Sequence, residues 1–219
     1  MPIPTPPAEA PTRSTYRHGD LRQALIDAGV QLARDGGPDA VVLREATRRA
    51  GVAPNAAYRH FANRQDLFEA VRAAALRALA VTMEAKLSEA GGDGDAADAA
   101  AAARAKLRAV GAGYLAFAQA EPGLFRTAFA AAPPVEQDPD PSKAGASGLN
   151  PFQLLGAALD GLVAAGVIPA QRRPGAEYLA WSAVHGLAIL LIDGPLRHVP
   201  EAQRLALGGR VLAMVEDGL

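Results

Sequence analysis

Apolar positions along this 219-residue chain recur at intervals of three and four, and no stretch keeps the two-residue alternation of a half-buried strand. Leu21, Leu25, Ala28 and Leu32 fall at i, i+4, i+7 and i+11, which predicts one apolar face of a helix over 20–35. Asp20 is its expected N-cap, with Gln23 as the capping-box partner, and Gly36–Gly37 its stop. Two short helices are predicted over 43–50 and 54–60. Gly51 lies between them, where a tight turn needs positive φ, and Pro54 suits a first helical position because its missing N–H has no partner there. Asn63 is the expected cap of a long helix reaching about residue 89, with Leu67, Val71, Leu79, Met83 and Leu87 as apolar positions. The run GGDGDAADAA at 91–100 predicts a break. Further helices are expected over 99–120, from Pro122 as a short segment with Leu124, Phe125 and Phe129, and over 151–165, 174–192 and 200–217. Residues 133–150, rich in Pro, Gly, Ser and Asp, read as a long mobile loop. The predicted class is all-α, about nine helices, with no internal repeat.

Composition agrees, since Ala, Leu and Arg dominate and all favour helix. Half the residues are hydrophobic and about a fifth charged, as in a globular protein. Cysteine is absent, which removes disulfides, thiolate metal sites, iron–sulfur clusters and Cys nucleophiles together. The formal net charge of −1 conceals a division: residues 13–72 hold ten Arg and no Lys against seven Asp and Glu, while 73–219 are net acidic. A basic first third is expected where only that part meets phosphate. Residues 1–15 are Pro-rich and read as a disordered arm, without the charged and then apolar pattern of a signal peptide. The longest apolar run, 178–192, contains Ser182 and His185 and is shorter than the roughly 20 residues of a membrane span. No membrane association and a cytoplasmic location are expected.

The segment 41–71, VVLREATRRAGVAPNAAYRHFANRQDLFEAV, carries the sharpest signal. A short helix pair split by a Gly turn, followed by a long helix, is a helix-turn-helix, whose second helix lies in the major groove. The Ala-Gly-Val at 50–52, then Tyr58, His60, Phe61, Arg64 and Leu67 at their spacing, resemble the DNA-binding module of the TetR family over residues 16–72. The resemblance implies a homodimeric regulator, usually a repressor, on a palindromic double-stranded operator. It implies a helix-turn-helix domain over 16–66, then a ligand-sensing and dimerisation domain over 67–219 built as an antiparallel helical bundle.

The expected DNA-contacting set is Arg17, Arg44, Pro54, Asn55, Ala57, Tyr58, His60 and Arg64. Tyr58, His60 and Arg64 are donors suited to phosphate, which fixes register without reading sequence. Asn55 suits an adenine edge through a bidentate amide contact, and Arg44 suits phosphate or guanine. Arg13, Arg17 and His18 would add contacts from the arm. Bland alternatives stand beside these: a solvated helix face for Arg44, Arg48 and Arg49, packing on the first helix for Tyr58, and helix capping for Asn55. Phe61 and Leu67 are expected in the core. The sequence departs from the family pattern at Val42 and Ala53, which lack capping side chains worth ~1 kcal/mol each, and at Thr47 and Ala57.

In the C-terminal half, WSAVHG at 181–186 and GYLAFAQAEPGLFRTAF at 113–129 resemble a TetR subgroup named for its Trp-His-Gly triplet. Tyr114, Phe117, Phe125, Phe129, Phe152, Trp181 and His185 are the candidate lining of a pocket for a small-molecule effector, with plain core as the alternative. His185 has no partner spaced to make a metal site. Gly186, Gly208 and Gly209 would permit close approach across a homodimer interface of helices 8 and 9, as the resemblance implies. Alternatively, Gly208–Gly209 breaks the last helix. No cofactor is expected. No Ser elbow, phosphate loop, zinc motif or complete Ca²⁺ loop supports an enzyme. The competing reading is a helical small-molecule-binding protein that no longer binds DNA.

Overall fold

The computed structural model describes residues 18–91, 99–130 and 140–219, with side chains from Leu21 onward. Arg13, Arg17 and the arm over 1–15 lie outside the described residues, as does the His18 side chain. The described residues form nine α-helices and no strand: α1 (His18–Gly36), α2 (Leu43–Arg49), α3 (Pro54–Ala57), α4 (Arg64–Ala90), α5 (Ala99–Ala120), α6 (Pro122–Phe129), α7 (Pro151–Ala164), α8 (Ala176–Ile192) and α9 (Glu201–Gly218). Short 3-10 turns occupy Pro38–Ala40, Pro141–Lys143 and Ala170–Arg172.

Local chemistry accounts for most boundaries. Gly37 at φ 70° ends α1 and Gly51 at φ 67° separates α2 from α3, both left-handed conformations that favour glycine. Asn63 caps α4 by accepting from the Asp66 N–H at 3.0 Å. Asn150 and Gln153 close a reciprocal capping box on α7. The start of α1 differs from the expected one. The helix already begins at His18, so Asp20 lies inside it, and Gln23 Nε2 instead donates to Asp27 Oδ1 at 2.8 Å.

The core is continuous. Leu25, Phe61 and Leu67 bury the three-helix unit, and Leu79 and Met83 carry the same apolar side of α4 into the bundle. There Val110, Tyr114, Leu124, Leu159 and Leu162 continue it. α4 holds the halves together because its 27 residues span about 40 Å at the helical rise. The expected boundary between residues 66 and 67 falls within its first turn. No helix among the described residues is long and apolar enough to cross a membrane.

The expectation of a mobile loop over 133–150 fails for its second half; residues 133–139 lie outside the described residues. Residues 140–150 are anchored to α4. Glu84 accepts from the Ala146 and Ser147 N–H groups, each at 2.8 Å, and from the Ser147 hydroxyl. Burial alone would raise the Glu84 carboxyl, but these hydrogen bonds outweigh it and hold the group below its ordinary value. Asp140 caps the 3-10 turn by accepting from the Ser142 N–H at 2.9 Å.

α9 is tied to α5 by a buried carboxylate. Glu216 accepts from Arg104 Nη1 at 2.9 Å and from Arg108 Nε. Burial works to raise its pKa, yet the two guanidinium groups hold it below the ordinary carboxylate value. A depressed carboxylate contributes stability above its unfolded pKa and loses it as pH falls through the folded value. The urea midpoint is therefore expected to drop on acidification below about pH 4.5. Glu216→Gln is expected to be less stable at pH 7 and to lose less on acidification. Parallel acid slopes in the two proteins would remove Glu216 from the account.

Candidate nucleic-acid interface and ligand cavity

α2 and α3 pack on α1 through Leu43, Ala46, Thr47, Ala57 and Phe61, all buried. Thr47 satisfies its hydroxyl by donating to the Arg44 carbonyl at 2.7 Å. Val42 and Ala53 stand at the N-caps of α2 and α3 and provide no side-chain bond. α3 is a single turn, shorter than expected; the His60 and Phe61 N–H groups both donate to the Ala57 carbonyl at 2.9 Å and close it.

Arg44, Pro54, Asn55, Tyr58 and Arg59 are exposed on this unit, and His60 is half-buried. Tyr58 is 60% exposed. Asn55 caps nothing, and Arg44, Asn55, Tyr58 and Arg59 make no side-chain hydrogen bond or ion pair among the described residues. Other arginines are engaged internally: Arg34 with Glu121 at 3.0 Å, Arg49 with Asp35 at 2.7 Å and Arg48 with Glu45. Arg22 lies over the Phe61 ring at 5.4 Å. Two members of the sequence-derived set are placed differently. Ala57 is fully buried and presents no surface. Arg64 donates to the Val41 and Pro38 carbonyls at 2.8 and 3.1 Å, clamping the α1–α2 connection. Arg59 was not singled out by the sequence; its exposure one residue past Tyr58 depends on where α3 ends.

A partly open cavity of about 100 Å³ lies between α4, α5, α6, α7, α8 and α9. Tyr114, Phe129, Phe152 and Trp181 line it, as expected. Phe125 and His185 do not line it but back that wall: Phe125 stacks on His185 at 5.5 Å and meets Tyr114 edge-on at 5.4 Å. Phe117 is buried elsewhere, beside a separate groove at Ala74, Ala78 and Ala116. A polar relay joins the wall. Trp181 Nε1 donates to the Tyr114 hydroxyl at 2.9 Å, and that hydroxyl lies 2.7 Å from His185 Nδ1. Indole can only donate, so the tyrosine proton is free for Nδ1 when the imidazole is neutral with its proton on Nε2. Burial favours the neutral form of each ring, lowering the His185 pKa and raising that of Tyr114. The cavity also has three cationic residues in its wall that the sequence did not single out: Arg72, Arg108 and Lys143.

Two elements connect cavity and interface. Arg72, Leu76 and Met83 bring α4 into the wall, and α4 follows α3 in the chain and packs on α1. α6 carries Phe129 into the same wall, and at its other end Gly123 lies so close to the Ala33 and Arg34 carbonyls of α1 that a Cβ there would overlap them.

On the outside, α8 and α9 leave Leu179, Ile189, Leu190, Leu205 and Met214 exposed. Gly186 and Gly209 have open space beside them, whereas Gly208 is buried against Leu115. α9 continues through Gly208–Gly209 without a break.

Residues 25–71 match the family model of bacterial regulatory proteins of the tetR family, and residues 107–209 match the tetracyclin repressor-like C-terminal domain. No curated protein matches the sequence. A protein of unknown function from Rhodococcus sp. RHA1 is 25% identical, with a TM-score of 0.72 over 94% of this chain and 99% of that one. A protein from Shewanella sp. PV-4, described as a TetR-family transcription regulator, shares the fold at 17% identity and a TM-score of 0.59, covering 90% of this chain and 96% of its own. The fatty acid degradation regulator FadR from Bacillus subtilis, in complex with stearoyl-CoA, does so at 17% identity and 0.51, over 90% and 98%. With both the DNA-binding and the C-terminal family models matched in their chain order on an all-helical fold, this protein belongs to the TetR family of transcriptional regulators.

Proposed function

We propose that this chain is a ligand-responsive regulator, a repressor by the family's usual sign, that binds a palindromic operator as a homodimer through α8 and α9. Two α3 turns enter successive major grooves one helical turn or more apart, about 34 Å. Arg44, Tyr58, Arg59 and His60 hold phosphate or base edges, Asn55 reads a base, and Pro54 presents the turn. The arm with Arg17 adds backbone contacts. The effector occupies the cavity beside Tyr114, Phe129, Phe152 and Trp181. Its binding shifts α4, changes the separation of the two α3 turns and weakens the DNA complex, a coupling typically worth about 1–3 kcal/mol.

The observation that carries this reading is the exposed set of Arg44, Asn55, Tyr58 and Arg59 on a helix-turn-helix whose next helix, α4, forms part of the cavity wall. Selection of bound duplexes from a random DNA pool by the purified protein tests it. Enrichment of an inverted repeat is expected. A pool that stays random after repeated rounds would favour a helical ligand-binding protein that has lost DNA binding.

A further inference from the structure

We infer that His185 positions Trp181 in the cavity wall through the Tyr114 hydroxyl, and releases it when the imidazole takes up a proton. The inference adds a pH-dependent control to the effector site, and in that respect rests on the reading of the cavity as that site. The hydrogen-bond chain itself belongs to the ligand-free protein.

Trp181 and Tyr114 line the cavity, and His185 stands behind them. One hydroxyl joins all three: the Tyr114 oxygen accepts from Trp181 Nε1 at 2.9 Å and lies 2.7 Å from His185 Nδ1. The indole sets the direction of this chain. Its N–H can only donate, so it occupies a lone pair of the hydroxyl, and the tyrosine proton goes to Nδ1. A proton on Nδ1 turns that acceptor into a donor. The hydroxyl then meets two donors, and its own proton loses its acceptor within the chain. Tyr114 is only 5% exposed, and a donor buried without an acceptor is costly. Turning of the Tyr114 or Trp181 side chain relieves this, and both belong to the wall.

His185 is half-buried, so protons reach the ring. Around it, α5 presents Tyr114, α6 presents Phe125 and Phe129, and α8 itself presents Trp181. Ionised residues of these helices and of α7 and α9 pair among themselves: Arg126 with Asp193, Arg173 with Asp160 and Glu177, and Glu216 with Arg104 and Arg108. Burial lowers the His185 pKa, without a contribution from a charge among the described residues.

NMR of the isotope-labelled full-length protein between about pH 5 and 8 tests the chain, above the range in which the Glu216 carboxylate is lost. The single tryptophan gives one indole N–H resonance, and the His185 signals are those missing from His185→Asn. At neutral pH the His185 ring is expected to carry its proton on Nε2. On acidification the indole resonance is expected to move along a one-proton curve with the His185 midpoint, below the ordinary histidine value of about 6.5. In Tyr114→Phe the His185 midpoint is expected to rise, because the bond that favoured the neutral ring is gone, and the indole resonance to stay fixed. His185→Asn sets an amide oxygen near the place of Nδ1 at every pH and is expected to hold the indole resonance at its neutral-pH position. Four results overturn the inference: a proton on Nδ1 at neutral pH, a His185 ring that takes up no proton in this range, an indole resonance that stays still while His185 titrates, or an indole titration that survives Tyr114→Phe. Each of them leaves the effector-cavity reading standing.

Discussion

Gly113→Ala is expected to destabilise the protein by about 3 kcal/mol, in the upper range for overpacking, despite a gain of roughly 1 kcal/mol in helix propensity. A Cβ at Gly113 would stand 2.6 Å from the Met83 Cα and 3.1 Å from the Thr82 carbonyl oxygen, so the obstacle is the backbone of α4 and no rotamer change relieves it. The two helices would have to separate along the contact that joins the DNA-binding half to the bundle. Gly111→Ala is the matched control. Its Cβ overlaps the tip of the Leu212 side chain, which can move, and meets Val184 at an ordinary 3.8 Å, so a much smaller loss is expected. Urea midpoints of the three proteins at one concentration measure both effects. Equal stability of Gly113→Ala and the native protein would contradict the packing described for α4 and α5.

Leu205→Glu is expected to convert the protein to a monomer and to lower operator affinity on the order of a hundred-fold, because two linked half-site contacts become independent. Leu205 is 63% exposed on the single chain and Leu179 on the neighbouring helix 67%, so a charge at 205 leaves the fold of one protomer unchanged. The same charge in an apolar contact between two copies would be buried without a partner. Sedimentation and DNA titration of the same sample read the two consequences together. A dimer that persists with native affinity would place the interface elsewhere.

Much of this architecture was legible in the sequence, for local reasons. Asn63, Pro122, Pro151 and the pair Gly36–Gly37 mark helix ends by their own hydrogen-bonding and dihedral preferences, and α5 runs over the predicted 99–120. The illegible parts depend on partners distant in the chain. The composition of 140–150 announces turns but cannot announce Glu84, more than sixty residues earlier, which ties them down. Lys143 reads as a surface residue of a polar segment, and only the packing of that segment on α4 buries it.

The site shows the same division. Helical spacing put Trp181 and His185 on one face, and they do belong to one aromatic cluster with Tyr114. It could not separate the residues that line the cavity from Phe125 and His185 behind them, or from Phe117 on the far side, because that depends on where α4, α6 and α7 sit against α5. The ten arginines of residues 13–72 mark a basic segment without ranking its members. The ion pairs rank them: Arg48 and Arg49 are tied to carboxylates and Arg64 to carbonyls, which leaves Arg44 and Arg59 beside Asn55 and Tyr58.

Sequence-specific DNA binding is expected of that exposed set. Fluorescence anisotropy of the full-length protein on the inverted repeat recovered by selection, against a scrambled duplex of equal length and composition over a salt series, tests it most directly. The repeat is expected to be bound at least about 10³-fold more tightly. Log affinity is expected to fall linearly with log salt concentration as counterions are released from the phosphates. Equal affinity for both duplexes throughout the series would contradict it.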